Sequence, residues 1–130
     1  MALQFETTLR NALLDAIETN VGTAPILRIY TGTAPGIGNA ATGTLLAEIT
    51  CPSDWAAAAS SGSKAKNGTW QDTSADAAGT PGYFRLLTSG ATAKIEGTAG
   101  VSSGDLSFDT TISLGGTVTI STFTLTAGNS

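Results

Sequence analysis

The residues that best suit chemistry in this chain are two pairs of carboxylates, Asp72 with Asp76 and Asp105 with Asp109. Carboxylate oxygens are the ligands that a hard cation prefers, but such a cation takes about six or more of them. Neither pair lies in an alternating acidic loop that would supply the rest. A glycosidase also needs two carboxylates in one cleft, and nothing in the sequence selects a pair. We therefore expect these four residues to be solvated turn residues.

Histidine is absent from the chain. Its absence removes the activation of a serine or cysteine nucleophile by imidazole, and it removes the commonest protein ligand for metals. The sequence predicts that the protein is not an enzyme. No catalytic residue, cofactor-binding residue or metal ligand is expected.

A glycine-rich segment, residues 36–41 (GIGNAA), matches the loose dinucleotide fingerprint GxGxxA and follows a predicted strand. Asp54 lies downstream as a candidate ribose ligand. The fingerprint requires a helix that begins at the glycines and points its N-terminus at the pyrophosphate. Here Thr42-Gly43 and the strand-like sequence LLAEI follow instead. This predicts an ordinary flexible loop without a nucleotide.

Two interpretations are open for the aromatic residues Trp55, Trp70 and Tyr83. Such side chains line sugar-binding or peptide-binding surfaces, and they also cap hydrophobic cores or oligomer interfaces. The single cysteine, Cys51, cannot form an internal disulfide, which favours assembly in a reducing cytoplasm. We expect it to be a buried small hydrophobe; a reactive or intermolecular thiol is the alternative.

Small side chains dominate the 130 residues, and charged residues make up only 12%, against about 25% in typical domains. Such a composition leaves a weakly charged exterior that suits packing against other proteins. The net charge is −4, and the basic residues are scattered along the chain: Arg10, Arg28, Lys64, Lys66, Arg85 and Lys94. Since phosphate binding needs clustered cations, we expect no direct nucleic-acid partner. No apolar run approaches the roughly 20 residues that span a bilayer, so no membrane partner is expected.

One helix is predicted over residues 5–21, with Thr7 or Thr8 as its N-terminal cap and Gly22 near its end. Apolar residues recur there at every fourth position: Phe5, Leu9, Leu13, Ile17 and Val21. This stripe must either cover an open end of a sheet or dock on a neighbouring subunit.

Strands are predicted in antiparallel pairs, 26–31 with 45–50 around a long loop, 32–43, and 83–87 with 91–96 around a turn at Ser89-Gly90. Asn67-Gly68 is a predicted turn between two short strands. The densest alternation of apolar and polar residues lies at 106–126, where Gly115-Gly116 predicts a β-hairpin turn. A shift in parity between Ile120 and Phe123 predicts a bulge or burial of both faces.

In total, seven or eight short strands separated by turns predict an all-β fold. The expected architecture is an antiparallel β-sandwich, of jelly-roll or immunoglobulin-like type, with one N-terminal α-helix. No internal repeat or long linker divides the chain. The sequence therefore predicts a single domain, 1–130, with the helix at about 5–21 and the sandwich at about 26–127.

Three segments resemble a group of small virion structural proteins of tailed phages and prophages, namely 27–35 (LRIYTGTAP), 79–85 (GTPGYFR) and 116–129 (GTVTISTFTLTAGN). The opening MALQF…TTLRNALLDAIET extends the likeness to nearly the whole length. These segments are structural, so the resemblance implies no catalytic residue. It implies a head decoration (cement) protein that binds the outside of the capsid lattice and stabilises the head.

On this resemblance, the expected partners are the major capsid protein and further copies of the chain, in a trimer or dimer. The expected location is the virion, assembled in the host bacterial cytoplasm. We expect an N-terminal arm, residues 1–8, or the loop 32–43 to lie across neighbouring capsid subunits, where many weak contacts add by avidity. The alternative is a tail or tail-tip component, with host attachment through Trp55, Trp70 and Tyr83. A secreted carbohydrate-binding module fits less well, because export and sugar-site signals are missing.

Overall fold

The computed structural model describes residues 3–127. This part of the chain forms one helix, α1 (Thr7–Val21), followed by nine strands. The strands are β1 (Ile26–Tyr30), β2 (Leu45–Thr50), β3 (Ser63–Ala65), β4 (Trp70–Asp72), β5 (Tyr83–Leu87), β6 (Ala93–Val101), β7 (Leu106–Phe108), β8 (Val118–Ile120) and β9 (Thr124–Thr126).

These strands form one large sheet and two small ones. The large sheet has the order β2-β1-β5-β6-β7, while β3 pairs with β9 and β4 with β8. Strand β7 runs parallel to β6, and the other neighbouring pairs are antiparallel. The protein is therefore mostly β with one helix, as predicted. The prediction of a purely antiparallel arrangement is wrong, because the large sheet is mixed.

A short connection, residues 102–105, places β7 beside β6. Parallel neighbours usually need a crossover of a dozen or more residues, but here the chain loops back at once. Gly104 permits the loop, since its φ is +86° and a Cβ there would lie 3.0 Å from the main chain of Ala99. Asp105 fixes it, because its Oδ2 accepts hydrogen bonds from the amide and the hydroxyl of Thr98, both at 3.1 Å.

Two of the predicted antiparallel pairs are confirmed. Strand β1 pairs with β2 across the long loop, and β5 pairs with β6 across the turn at Ser89-Gly90. In both cases strands adjacent in the sequence are also adjacent in the sheet, so local patterns suffice to pair them.

The predicted hairpin around Gly115-Gly116 is wrong. The turn itself forms, since the amide of Gly116 donates to Ser113 O at 2.9 Å and Gly115 has a φ of +75°. The segments on either side of the turn then separate. Ile112 forms a bridge with Gly79, and β8 pairs with β4.

The same separation occurs around Asn67-Gly68, where β3 and β4 follow one another but pair with β9 and β8.

The separation of consecutive strands also explains the change of parity between Ile120 and Phe123. Strands β8 and β9 belong to different sheets, so the shift marks a break between two strands and not a bulge within one. Alternation identifies strands, but long-range packing selects their partners.

The hydrophobic core joins the large sheet to the two small sheets. The rings of Trp55 and Trp70 lie 6.1 Å apart, and Phe123 contacts both Trp70 (5.2 Å) and Phe84 (5.8 Å). Both indoles find acceptors, because Trp55 Nε1 donates to Gly22 O and Trp70 Nε1 donates to Asn67 O. The aromatic cluster is therefore buried without an unpaired polar atom on either indole.

Helix α1 begins two residues later than predicted and ends at the predicted residue. Its N-cap is Glu6, and not Thr7 or Thr8, because the Glu6 carboxylate accepts from the amide of Leu9 at 3.1 Å. Hydrogen bonds, chiefly from the Thr8 hydroxyl, lower the pKa of Glu6. Gly22, with a φ of +87°, ends the helix as expected. Within residues 3–127, no helix is long and apolar enough to cross a membrane.

The predicted apolar stripe of α1 is divided between core and solvent. Val21 is buried and Ile17 half-buried against the core, whereas Leu9 and Leu13 are 49% and 45% exposed. Leu14, which lies beside the stripe, is buried instead. The helix is therefore rotated away from the orientation that its apolar pattern predicts.

A buried lysine explains this rotation. Lys64, on β3, is 2% exposed, and its Nζ lies 2.7 Å from Asp15 Oδ1 and 2.5 Å from Glu18 Oε2 on α1. It also donates to Ala57 O at 2.8 Å, so each of its three protons has an acceptor. Desolvation opposes the charge, but the hydrogen bonds with Asp15 and Glu18 outweigh it and raise the pKa of Lys64. The helix must turn these two carboxylates toward the sheet.

We expect loss of the two carboxylates to destabilise the fold more than loss of the ammonium. The double variant Asp15→Asn/Glu18→Gln leaves a buried cation without a counter-charge, which is strongly unfavourable. Lys64→Met leaves two carboxylates that are 53% and 29% exposed, so they remain solvated. Its free energy of unfolding should stay within about 1 kcal/mol of the parent value. Urea denaturation measures this order, and a larger loss in Lys64→Met would contradict it.

The pairing of Asp15 also predicts a loss of stability in acid. The hydrogen bond from Lys64, followed by that from the amide of Ala59, holds the pKa of Asp15 below its ordinary value of 3.8. A carboxyl with a depressed folded pKa stabilises the fold above its unfolded pKa, and this contribution is lost as pH falls through the folded pKa. The difference in unfolding free energy between the parent and Asp15→Asn should therefore be constant near neutral pH and shrink below pH 3.8. Urea titrations that show an undiminished difference at about pH 2 would refute this assignment.

Candidate functional site

One face of the large sheet carries a row of charges across four neighbouring strands. The register places Glu48 on β2 opposite Arg28 on β1. Arg28 lies opposite Arg85 on β5, which in turn lies opposite Glu96 on β6. Directly opposite residues share a face of the sheet. The row forms two ion pairs, Arg28 Nε to Glu48 Oε2 at 2.7 Å and Arg85 Nε to Glu96 Oε2 at 2.8 Å.

The two ion pairs differ in what covers them. The side chains of Arg28 and Glu48 are 28% and 41% exposed, whereas those of Arg85 and Glu96 are 6% and 8% exposed. Part of the cover is the loop 32–43, within the connection between β1 and β2. This loop folds back over the face and is termed the capping loop. The long loop predicted from the sequence is thus a layer on the sheet.

Arg85 and Glu96 hold the capping loop by its main chain. Arg85 Nη2 donates to the carbonyls of Gly36 and Asn39 at 3.1 and 2.9 Å. Glu96 accepts from Arg85 with Oε2 and from the amide of Gly36 with Oε1 at 2.9 Å. A buried ion pair needs such further hydrogen bonds to offset its desolvation. The loop and the ion pair therefore stabilise each other.

Tyr83 holds the other end of the capping loop. Its hydroxyl donates to Thr42 O at 2.6 Å and accepts from the amide of Thr42 at 2.9 Å. The buried ring stacks on Tyr30 with a centroid distance of 4.9 Å and an angle of 10°. Gly82 permits the close approach at the start of the loop, since a Cβ there would lie 2.1 Å from Gly32 O. The loop is anchored at both ends.

The outer side of the capping loop is exposed and uncharged. Residues 37–43 are all exposed, with Ile37 at 51%, and residues 32–43 contain no Asp, Glu, Lys or Arg. Loops positioned by a rigid scaffold are common binding elements. This surface offers main-chain groups and small side chains in a fixed arrangement, which suits contact with another protein.

The glycine-rich motif at 36–41 lies in the capping loop, and no helix follows it. The amide of Gly36 is used by Glu96, and Asp54 accepts from Asn67 Nδ2 at 3.1 Å. The dinucleotide arrangement is therefore not formed. The segment is a loop, as predicted, but its main chain is held by side chains of the sheet instead of being free.

The aromatic candidates for a sugar-binding or peptide-binding surface are all in the interior. Trp55, Trp70 and Tyr83 are 1%, 0% and 0% exposed. The interpretation as core residues is confirmed for the two tryptophans, and the surface interpretation is wrong, because a buried ring cannot stack on a ligand.

Cys51 is also buried, as predicted, and burial raises the pKa of its thiol to about 12.

Two of the four candidate carboxylates accept hydrogen bonds that hold neighbouring segments together. Asp72 accepts from the amides of Glu48 and Ser74 at 3.1 and 2.9 Å. Asp105 accepts from Thr98 in the connection to β7. Over residues 3–127, no group of three or more His, Cys, Asp and Glu side chains is placed to hold a metal ion.

The predicted N-terminal arm, residues 1–8, is only partly described. Met1 and Ala2 lie outside the described residues, residues 3–6 precede α1, and Thr7 and Thr8 belong to the helix. The described part of this segment therefore leads directly into a helix.

Arg85 and Glu96 are not among the candidate site residues predicted from the sequence, although the sequence contains a signal for them. Arg85 lies within the apolar strand YFRLL, and Glu96 follows the alternating segment AKI. A charged residue in a central strand must be paired if it is buried. The identity of its partner depends on the sheet register, which the sequence pattern does not contain.

Comparison of the chain with models of protein families, with curated proteins and with solved structures finds no match.

We expect Glu96→Gln to destabilise the protein far more than Glu48→Gln. The first substitution leaves the buried Arg85 cation without a counter-charge, which costs about 3 kcal/mol. The second breaks a partly exposed pair, and its effect should stay within about 0.5 kcal/mol. Urea denaturation gives both values, and the amide of Gly36 should exchange hydrogen faster only in Glu96→Gln. Equal losses in the two variants would show that the buried pair does not hold the loop.

Proposed function

We propose that this protein is a head decoration (cement) protein of a tailed phage, which binds the outside of the capsid lattice and stabilises the head. The observation that carries the proposal is the capping loop, an uncharged surface held on the sheet by Arg85, Glu96 and Tyr83. The segment 27–35, which resembles virion structural proteins, leads into this loop and forms its first residues.

A loop that is ordered in advance suits repeated binding to a lattice. Because its main chain is already fixed, binding requires little further loss of conformational entropy. The chain carries a net charge of −4, and an uncharged contact surface limits charge repulsion where copies of the chain meet other proteins. Many weak contacts then add by avidity across the capsid and resist outward pressure.

In this proposal the partners are the major capsid protein and further copies of the chain, in a dimer or trimer. The location is the virion, after assembly in the host bacterial cytoplasm. The protein acts by binding alone, without catalysis, a cofactor, direct nucleic-acid contact or a membrane. The corresponding proposal for the fold is a sandwich of jelly-roll or immunoglobulin-like type, in which the large sheet and the small sheets enclose Trp70 and Phe123.

Cryo-electron microscopy of the intact virion tests the location. Density for a 13.0 kDa β-rich domain that recurs across the head lattice would support decoration. Density only at the neck or tail would overturn it in favour of the alternative, a tail or tail-tip component. We do not include host attachment through aromatic residues in this alternative, because Trp55, Trp70 and Tyr83 are buried.

We expect Ile37→Asp to reduce binding to assembled capsid shells by at least about tenfold, because a carboxylate desolvated at an apolar contact costs more than about 1.4 kcal/mol. Leu114→Asp is the matched control, since Leu114 is 70% exposed on a turn outside the capping loop. Co-sedimentation with shells measures both. Unchanged binding of Ile37→Asp would exclude the capping loop, and deletion of residues 1–8 would then test the arm.

A further inference from the structure

Helix α1 turns an uncharged, mostly apolar face outward. With 3.6 residues per turn, four exposed residues lie within about 60° of one another, namely Leu9, Leu13, Ala16 and Asn20. Surface helices normally direct such a face toward the core. Here the core takes only Leu14, Ile17 and Val21.

The charged residues near the middle of the helix are paired with groups on the body of the protein. Arg10 Nη1 donates to Ala127 O at 3.3 Å, and Asp15 and Glu18 pair with the buried Lys64. These charges are thus paired with groups outside the helix, while Leu9 and Leu13 remain about half exposed. An outward apolar face of this kind is typical of a surface that is covered by another protein.

Large and small side chains are separated along this face. Leu9 and Leu13, which are about half exposed, lie in the N-terminal half of the helix. Ala16 and Asn20 lie in the C-terminal half, between two shallow hollows. One hollow is lined by Ala12, Asp15, Ala16, Thr19 and Asn20, and the other by Leu13, Ala16, Ile17, Asn20, Lys94 and Ile95.

We propose that this face binds the same face of a second copy of the chain, with the two helices antiparallel about a two-fold axis between positions 12 and 13. Leu9 then packs against Ala16 of the second copy, and Leu13 meets Leu13 of the second copy beside the axis. Because the operation is symmetric, each copy supplies both a projecting Leu9 and the hollow beside Ala16 that receives Leu9 of the second copy. A parallel pair would set Leu9 against Leu9 and leave the hollows empty.

Charge complementarity supports the antiparallel orientation. Lys94 borders a hollow near the C-terminal end of α1, and Glu6 caps the N-terminal end. In an antiparallel pair, the N-terminal end of each helix lies beside the C-terminal end of the other. Glu6 of one copy therefore approaches Lys94 of the other, and the helix dipoles are aligned favourably.

The size of the face indicates weak pairing in free solution. Helix α1 has 15 residues and is about 22 Å long. A helix pair of this length buries on the order of 500 Å², compared with about 1,200 Å² or more in stable dimers. Pairing is therefore populated chiefly where copies are held close together, as on a particle surface. This role on the particle rests on the proposed function, whereas the pairing itself is a property of the chain.

Disulfide trapping tests the pairing at low affinity. We expect an oxidised, equimolar mixture of Leu9→Cys and Ala16→Cys to give at least about fivefold more heterodimer than either homodimer. Positions 9 and 16 face each other in the antiparallel pair, whereas two copies of position 9 lie about 10 Å apart along the helix axes. That separation exceeds the roughly 7 Å that a disulfide spans between Cα atoms. Cys51 does not compete, because it is buried.

Two controls accompany the mixture. Ser103→Cys places a thiol on an exposed residue outside α1, and its dimer yield gives the rate of random collision. Leu13→Glu, added to both cysteine variants, should lower the heterodimer yield at least about tenfold by placing a charge in the contact. Circular dichroism confirms that each variant is folded.

The outcomes separate this inference from the proposed function. The antiparallel pair would be overturned if homodimers predominated. It would also be overturned if homodimers and heterodimers formed in random proportions, with a yield no higher than the random-collision yield of Ser103→Cys. Random proportions of the dimers, combined with loss of capsid binding in Leu13→Glu, would overturn it too. That result would show that the capsid, and not a second copy of the chain, covers this face. Predominant heterodimer with no binding to capsid shells would establish the pairing and refute the decoration proposal.

Discussion

A buried ammonium must have carboxylates within reach, and this requirement orients the helix of the described chain. Lys64 lies on a short strand beneath the helix, where Asp15 and Glu18 supply the counter-charges. Fully burying a leucine contributes about 1.5–3 kcal/mol, whereas an unpaired buried charge costs several kcal/mol. The charge therefore decides the orientation, and Leu9 and Leu13 remain half exposed.

The large sheet also holds its longest loop through buried charges. Arg85 and Glu96 form a buried pair whose remaining hydrogen-bonding groups are satisfied by the main chain of the capping loop. Buried ion pairs contribute little net stability compared with well-packed apolar residues, but breaking one is costly. In this protein each buried charge cluster attaches one peripheral element, the helix or the loop, to a strand.

As a consequence, two regions of the surface lack charged side chains. The capping loop carries no charged residue, and the outward face of the helix is uncharged at Leu9, Leu13 and Ala16. Uncharged surfaces on an acidic chain favour contact with other proteins, since repulsion is weakest there. The decoration proposal uses the loop and the helix-pairing proposal uses the helix, so the two contacts do not compete for the same residues.

The sequence by itself determined the end of the helix at Gly22 and the strand pairs β1–β2 and β5–β6, because these follow from local periodicity and turn chemistry. It also predicted the burial of Cys51, from the residue type alone. The tertiary structure alone decided the parallel pairing of β6 with β7, the distant partners of β8 and β9, and the outward rotation of Leu9 and Leu13. It also brought Arg85 and Glu96 to the loop that they hold. These features depend on contacts between residues far apart in the chain, and a one-dimensional pattern contains neither the register of a sheet nor the position of a buried charge.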